Sequence, residues 1–572
     1  MKTCLRIPLG IVLLAGAMIT SRHLVPQLSR FVCAAVALGS ALTAAEFTAP
    51  PTLVPNPNAS VPLAALVRFT ASEPVSTQVA IIAGARRWQL DFGPASRPAD
   101  GLPLVGFYPG KTHEIRVTIR DTAGRMTTAP QALIFEAPSL PTDPTEFPPI
   151  QVRQAEPSKM EPGWTLLSIR RQRGAGGGGG RSGGGGGGGG GPAGEPVFAT
   201  GYGLILALDE QGDVRWYYRS PNRTADVHRL HNGNIAFVTN DHRLVEIDLL
   251  GNVKGDWYAA QRPQGPGTSI PVDALTMHHS FEELPNGNFL IVSGELREID
   301  NYYSSETDRD APRRRQKVMG DQVIEFDRQG KVVWRWSAFE HLDPFRLGFL
   351  TINQYWIVRG FPDTLDWTHG NAVFHDARDD SVLFNSRQQS AVIKIERPSG
   401  RIVWIFGEPG GWPERFQPLL FQRADVAEWP WHHHTPSLTS RGTLLVFNNG
   451  LFKTRPFEPA EPVSDPVSGA LEYTFDAHAR TAKLVWSSDA PGTDAISTFA
   501  MGDAALLPKT GNVMVVYGSG VRLDNRRPAS GVREFKHTTP PQKVFDVVFA
   551  DDSLQPAVTW IAFGGDRIAE LP

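Results

Sequence analysis

Three histidines and one arginine carry the chemistry that this sequence offers. His279 lies eight residues before Gly287 in MHHSFEELPNGNFLIV, and His434 lies eight residues before Gly442 in WHHHTPSLTSRGTLLVF. The two therefore occupy one position in two copies of a unit. His369 opens the equivalent strand in DWTHGNAVFHDARDDSVLFNS, where the turn is longer, and Arg387 follows the next strand. Imidazole is a neutral base near pH 7 and can serve as nucleophile or proton carrier. A planar guanidinium binds oxyanions through paired N–H donors. Together they would suit chemistry on an oxyanion.

Positioning them requires a repeat. From residue 201 a turn followed by a Trp-bearing strand recurs: DEQGDVRWYY, DLLGNVKGDWY, DRQGKVVWRW, ERPSGRIVWIF, FDAHARTAKLVW and, at the end, DSLQPAVTWIAF. Ahead of five of these copies stands a turn leading into an apolar strand: LHNGNIAFV, LPNGNFLIV, RDDSVLFNS, SRGTLLVF and KTGNVMVV. Multi-strand units of this length without amphipathic helices predict an all-β, six-bladed β-propeller. Inner strands start at one rim of the channel, so equivalent positions in different blades face one space. The first unit lacks the second piece, which predicts a strand contributed by the other end of the chain.

The rest of the chain divides by composition. Residues 1–45 read as a signal peptide, with apolar runs at 7–19 and 31–45 and a well-formed leader if Met18 is the start. Neither run reaches the roughly 20 apolar residues of a membrane span. Membrane contact is expected only through an uncleaved leader, and the location is expected to be periplasmic or secreted. Residues 46–140 alternate with period two between turns, as in a small fibronectin/Ig-like β-sandwich. A proline-rich linker follows at 141–150, then the propeller at 151–572 with a glycine-rich insertion at 174–191. That tract lacks the Lys-Ser/Thr ending of a phosphate loop. A net charge of −3 in 572 residues argues against a nucleic-acid partner. The two cysteines, Cys4 and Cys33, both sit in the leader, so its removal would exclude disulfides and thiolate chemistry.

Residues 366–412, together with MHHSFEELPNGN and HHHTPSLTSRGTLLVFNNG, resemble the signature regions of the bacterial arylsulfate sulfotransferase family. The resemblance covers most of the chain from residue 47. It implies transfer of a sulfuryl group from a phenolic sulfate ester to a phenol through a sulfohistidine, without a nucleotide sulfate donor. By position it implies His434 as nucleophile, assisted by His369, Arg387 and one of His278/His279, of which the repeat register favours His279. His278 and Asn371 are expected substrate contacts. No cofactor and no metal site are implied, and the partners are an aryl sulfate and a phenol. A homodimer through the sandwich is a further expectation. A sulfuryl group in flight spreads negative charge over its oxygens. It needs a neutral nucleophile, NH donors around the sulfur, and a proton carrier for the two phenols. These residues supply each part.

Blander roles stand beside these. His432, His433 and His434 could be a surface run or an adventitious metal site. His278 and His279 could pack a blade, and Arg387 could pair with Asp379 or Asp380. Asn371 could cap a strand. His228, His231 and His375 read as surface residues, and Trp367, Trp404 and Trp431 as packing aromatics. The apolar stretch FRLGFLTINQYWIVRGFP reads as a lid or a docking surface. An aryl sulfate hydrolase and an inactive ligand-binding propeller are the alternative functions.

Overall fold

Six sheets of apolar strands, each with four antiparallel strands at its heart and both faces shared with neighbours, dominate the computed structural model. It describes residues 44–173, 202–425, 428–460, 466–489, 494–525, 527–550 and 558–569. The expected leader, apart from its last two residues, and the glycine tract lie outside the described residues.

Blade 1 contains Trp164–Arg173, Gly203–Leu208 and Val214–Ser220, with Val558–Ile568 as its innermost strand. Blades 2 to 6 begin with the inner strands Thr224–Arg229, His278–Glu283, Gly370–Asp376, His434–Leu438 and Asp503–Leu506. These six inner strands touch in cyclic order and close a ring. The propeller is sealed from both ends of the chain: Val558–Ile568 pairs with Trp164–Arg173, and Gln151–Ala155 adds an outer edge to blade 6. Strands such as Gly203–Leu208 are buried at every residue. A blade lies between two others, so its inner strands have no solvent face and read as continuous apolar runs.

The recurring tryptophans stitch one blade to the next. Indole Nε1 donates from Trp216 to Leu249 O, from Trp257 to Arg328 O and from Trp336 to Gly400 O, at 2.9, 3.0 and 3.0 Å. Trp486 reaches Thr538 O likewise at 3.0 Å. Each acceptor lies in the following blade's turn, so turn and tryptophan recur together because they meet. A buried indole contributes both its large apolar area and a hydrogen bond of about 1 kcal/mol. One expectation needs correction. The terminal copy DSLQPAVTWIAF is not a sixth outer strand but leads into the innermost strand of blade 1. The fourth strand of blade 6 is Gln542–Val548, which carries no tryptophan.

Ahead of the propeller, Phe47–Pro55, Ala64–Ala71 and Leu102–Val105 form one sheet. Ser76–Ala83, Arg86–Phe92, Thr112–Arg120, Met126–Thr128 and Leu133–Glu136 form the other. Their shared core runs on into blades 1 and 6. Arg215 of blade 1 seals the junction, donating to Gly106 O at 2.8 and 3.0 Å and to Tyr108 Oη at 2.9 Å. The 141–150 segment is packed rather than free: Phe147 is buried, and Pro144 O accepts from Trp560 Nε1 at 2.9 Å.

Candidate active site

The inner strands of blades 3, 4 and 5 each begin with a break in register, at His278/Phe281, Gly370/Ala372 and His434/Ser437. A bulge of this kind re-aims the side chains beside it. The backbone is also left-handed at His279 (φ 61), His369 (φ 44) and Thr435 (φ 44). Such conformations cost about 1–3 kcal/mol each and persist where surrounding structure enforces them. The same strained start in three blades delivers His279, His369 and His434 into one cavity, together with Arg387.

Each histidine is held by its Nδ1. His369 Nδ1 donates to Asp366 Oδ2 at 2.6 Å. His434 Nδ1 lies 2.6 Å from Asn449 Oδ1. His279 Nδ1 lies 2.8 Å from His278 Nδ1, and His278 Nε2 is 3.2 Å from Asp321 Oδ1. One of these two Nδ1 atoms donates to the other. His369, through Asp366, and His434, through Asn449, are thereby assigned N–H at Nδ1 and a lone pair at Nε2.

Burial keeps these rings neutral. It pushes the His434 pKa well below the usual histidine range, helped by the positive Arg387 and opposed by the Asn449 hydrogen bond. His279 is pushed well down by burial and by its histidine neighbours. His369 is lowered by burial, with Asp366 pulling the other way. Burial also brings Arg387 down to about 10, which leaves it cationic at neutral pH. Its Nη1 donates to Gln388 Oε1 at 2.9 Å and its Nη2 to Phe499 O at 3.1 Å, while Nε has no partner. Among the described residues lining the cavity there is no Asp or Glu.

The apolar stretch that sequence marked as a lid or docking surface covers this cavity through Leu350, Asn353, Tyr355 and Arg359. Asp366 anchors it, accepting from Trp356 Nε1 at 2.8 Å and Asn353 Nδ2 at 3.2 Å. One carboxylate thus ties the covering segment to His369. Phe499, Met501 and Phe563 add apolar wall. The arrangement sets neutral imidazoles and a cation beside aromatic walls.

A family model described as Arylsulfotransferase (ASST) matches residues 156–555, more than half of the chain. The chain belongs to the arylsulfotransferase family. It is 25% identical over 336 residues to "Arylsulfate sulfotransferase AssT" of Escherichia coli O6:H1 (strain CFT073), covering 49% of this chain and 51% of that protein. The protein of the same name from Lelliottia amnigena is 24% identical over 338 residues, covering 49% and 52%. The chain spans about half the length of the curated relatives it matches. Among solved structures, the Dos1 propeller covers 82% of this chain and 90% of its own at 10% identity, with a TM-score of 0.27.

For this family member, the sequence-read residues fall in three places. His279, His369, Arg387 and His434 line the cavity, with His278 in its wall beside His279. Arg387 has no acidic partner among the described residues; Asp379 pairs with Lys394 and Asp380 with Arg397. Asn371 is not a cavity residue. Its Nδ2 donates to His433 O at 3.1 Å and its Oδ1 accepts from Asn385 Nδ2 at 2.6 Å, so both ends serve the fold. His432 and His433 are buried rather than solvated, and His432 is 3.2 Å from both Leu451 O and Phe349 O. His375 is no surface residue either, with Nε2 3.0 Å from Asp380 Oδ1. His228 lines a second cavity in the channel with Glu282 and Asp503. Sequence reasoning missed Asp366, Asn449, Tyr355, Arg359 and Arg170. Asp366 and Asn449 sit inside the quoted motifs, three and fifteen residues from their histidines, but nothing local marks them as partners.

Proposed function

We propose that the chain is an exported aryl sulfotransferase that moves a sulfuryl group from a phenolic sulfate ester to a phenol through sulfo-His434, without a nucleotide donor or cofactor. The observation that supports this best is the meeting of three imidazoles and the Arg387 guanidinium in an aromatic-walled cavity with no Asp or Glu among its described lining residues. Membership of the arylsulfotransferase family adds to it. The export rests on the leader-like residues 1–45, and the boundaries 46–140, 141–150 and 151–572 belong to the same reading.

His434 Nε2 attacks the ester sulfur. The S–N bond forms as the bond from sulfur to the aryl oxygen breaks. The aryloxide leaves as phenol with a proton from His369 Nε2. That proton enters with the ester, because the bound monoanion and Asp366 both favour the His369 imidazolium. The acceptor phenol then attacks sulfur, the S–N bond breaks, and His369 takes the phenol's proton, which restores both rings. Arg387 faces the equatorial oxygens, where charge develops. His279, held by His278, adds a third neutral imidazole.

Purified protein incubated with an aryl sulfate alone should gain the mass of one sulfuryl group on the peptide containing His434. Added phenol should discharge the label and raise turnover. Label on another peptide, or phenol release without label, would overturn the nucleophile. Turnover indifferent to any phenol would favour hydrolysis instead.

A further inference from the structure

Three arginines beside the cavity have no acidic partner among the described residues. Arg170 and Arg223 are each only 6% exposed, and the Nε of each is unpartnered. Arg170 Nη2 meets only the weak acceptor Met501 Sδ, at 2.7 Å. Arg359 donates to the Tyr355 carbonyl at 2.7 Å and stacks 3.6 Å over the Tyr355 ring. Burial, followed by the charges of Arg223 and Arg359, pushes Arg170 far below the usual arginine range. Burial and Arg359 bring Arg223 to about 10. Buried cations that repel one another are costly unless an anion joins them. A sulfate ester carries one negative charge, and Arg387 with the histidines already serves it. The other three are cations in excess of a singly charged substrate.

Their position says where the second charge belongs. The His279 ring lies 5.9 Å from Tyr355 and 5.9 Å from Phe563. Beyond Tyr355 sits Arg359, and beyond Phe563 sits Arg170, 5.1 Å over its ring. Two aromatic rings thus lie between His279 and the two arginines, and Arg170 and Arg359 line the same cavity as the histidines. We propose that Arg170 and Arg359, with Arg223 behind them, form a second anion subsite. It takes a carboxylate, sulfonate or sulfate carried by the aromatic ring of the donor, across the ring from the transferred group. This rests on the sulfotransferase reading above and narrows its substrates to doubly anionic aryl sulfates.

The test compares 4-sulfooxybenzoate with its methyl ester as donors. The carboxylate compound has the poorer leaving phenol, so without the subsite the methyl ester is the better donor. With it, kcat/KM should favour the carboxylate by about tenfold or more, the worth of a charge-assisted hydrogen bond. The ratio should drop below one in Arg170→Gln and Arg359→Gln. A native ratio at or below one, or one that survives both substitutions, overturns the subsite. Calorimetric binding of 4-hydroxybenzoate against phenol needs no turnover. Arginine-dependent preference for the carboxylate in a protein that transfers nothing would uphold the subsite while sinking the transferase. Inorganic sulfate bound through Arg170, with no preference for 4-hydroxybenzoate over phenol, would overturn the substrate assignment in favour of a free anion. In anion-free buffer Arg170→Gln should melt higher than the native protein, because one repelling cation is gone. A lower melting point with an unchanged donor ratio would make Arg170 a structural residue and overturn its role.

Discussion

Asn449 presents its carbonyl oxygen to His434 Nδ1 at 2.6 Å, and its amide can turn no other way. Its Nδ2 donates to Thr498 O at 2.9 Å and Met501 O at 3.0 Å, so a flipped amide would face two carbonyls with oxygen. His434 Nδ1 must therefore carry the proton, and Nε2 keeps its lone pair. The His434 lone pair is thus set by a residue outside the cavity lining.

Asn449→Leu should slow sulfuryl labelling of His434 by about 10- to 100-fold, the usual cost of losing an orienting partner. Asn449→Asp keeps an acceptor at Nδ1 and should label faster than Asn449→Leu. Rapid-quench mass spectrometry of the His434 peptide reads both rates. Equal rates in the two variants would count against the orienting role.

His434→Ala should abolish transfer and label. Arg387→Ala should fold normally and lose about 10²–10³-fold in kcat, as when an oxyanion donor is removed. Circular dichroism checks the fold and donor turnover checks the rate. Native-like turnover in either variant would contradict these roles.

Asp366 raises the pKa of His369 against the lowering effect of burial. Without that carboxylate the imidazolium is harder to form. In Asp366→Asn, donor-side rate should therefore fall off at lower pH than in the native protein. The pH profile of single-turnover phenol release measures this. A limb that stays in place, or moves to higher pH, would exclude Asp366 as partner of the proton carrier.

His242, His432 and His433 are buried with pKa values pushed to about 3, burial being the largest cause in each. In the unfolded chain they titrate near 6.5, so below about pH 6.5 the unfolded state binds more protons. Stability should fall as pH falls through that window, by about 1.4 kcal/mol per pH unit for each ring once the unfolded form is charged. His432→Gln should flatten the slope of unfolding free energy between pH 6 and pH 4 by about one proton. An unchanged slope would show that His432 is not held neutral.

Much of this site was legible because a repeat carries its own register. His279 and His434 stand at equal distance from a glycine turn, and that spacing alone places them at equivalent points of two blades. Arg387 and His369 follow from the same alignment. Asn371 shows where such spacing stops being informative. Its place two residues after His369 is visible in sequence, but the direction of its side chain depends on the register break between Gly370 and Ala372.

By itself the sequence determined the all-β class, the repeat, and which imidazoles and guanidinium share a rim, because alternation and spacing are local properties of the chain. Only the tertiary structure decided which strand closes the ring, since Val558–Ile568 pairs with Trp164–Arg173 across nearly the whole propeller. It alone brought Arg170 of blade 1, Arg359 of the covering segment and Phe563 of the closing strand to one cavity. No periodicity links these residues. Their meeting follows from packing around a closed ring, where residues hundreds of positions apart become neighbours.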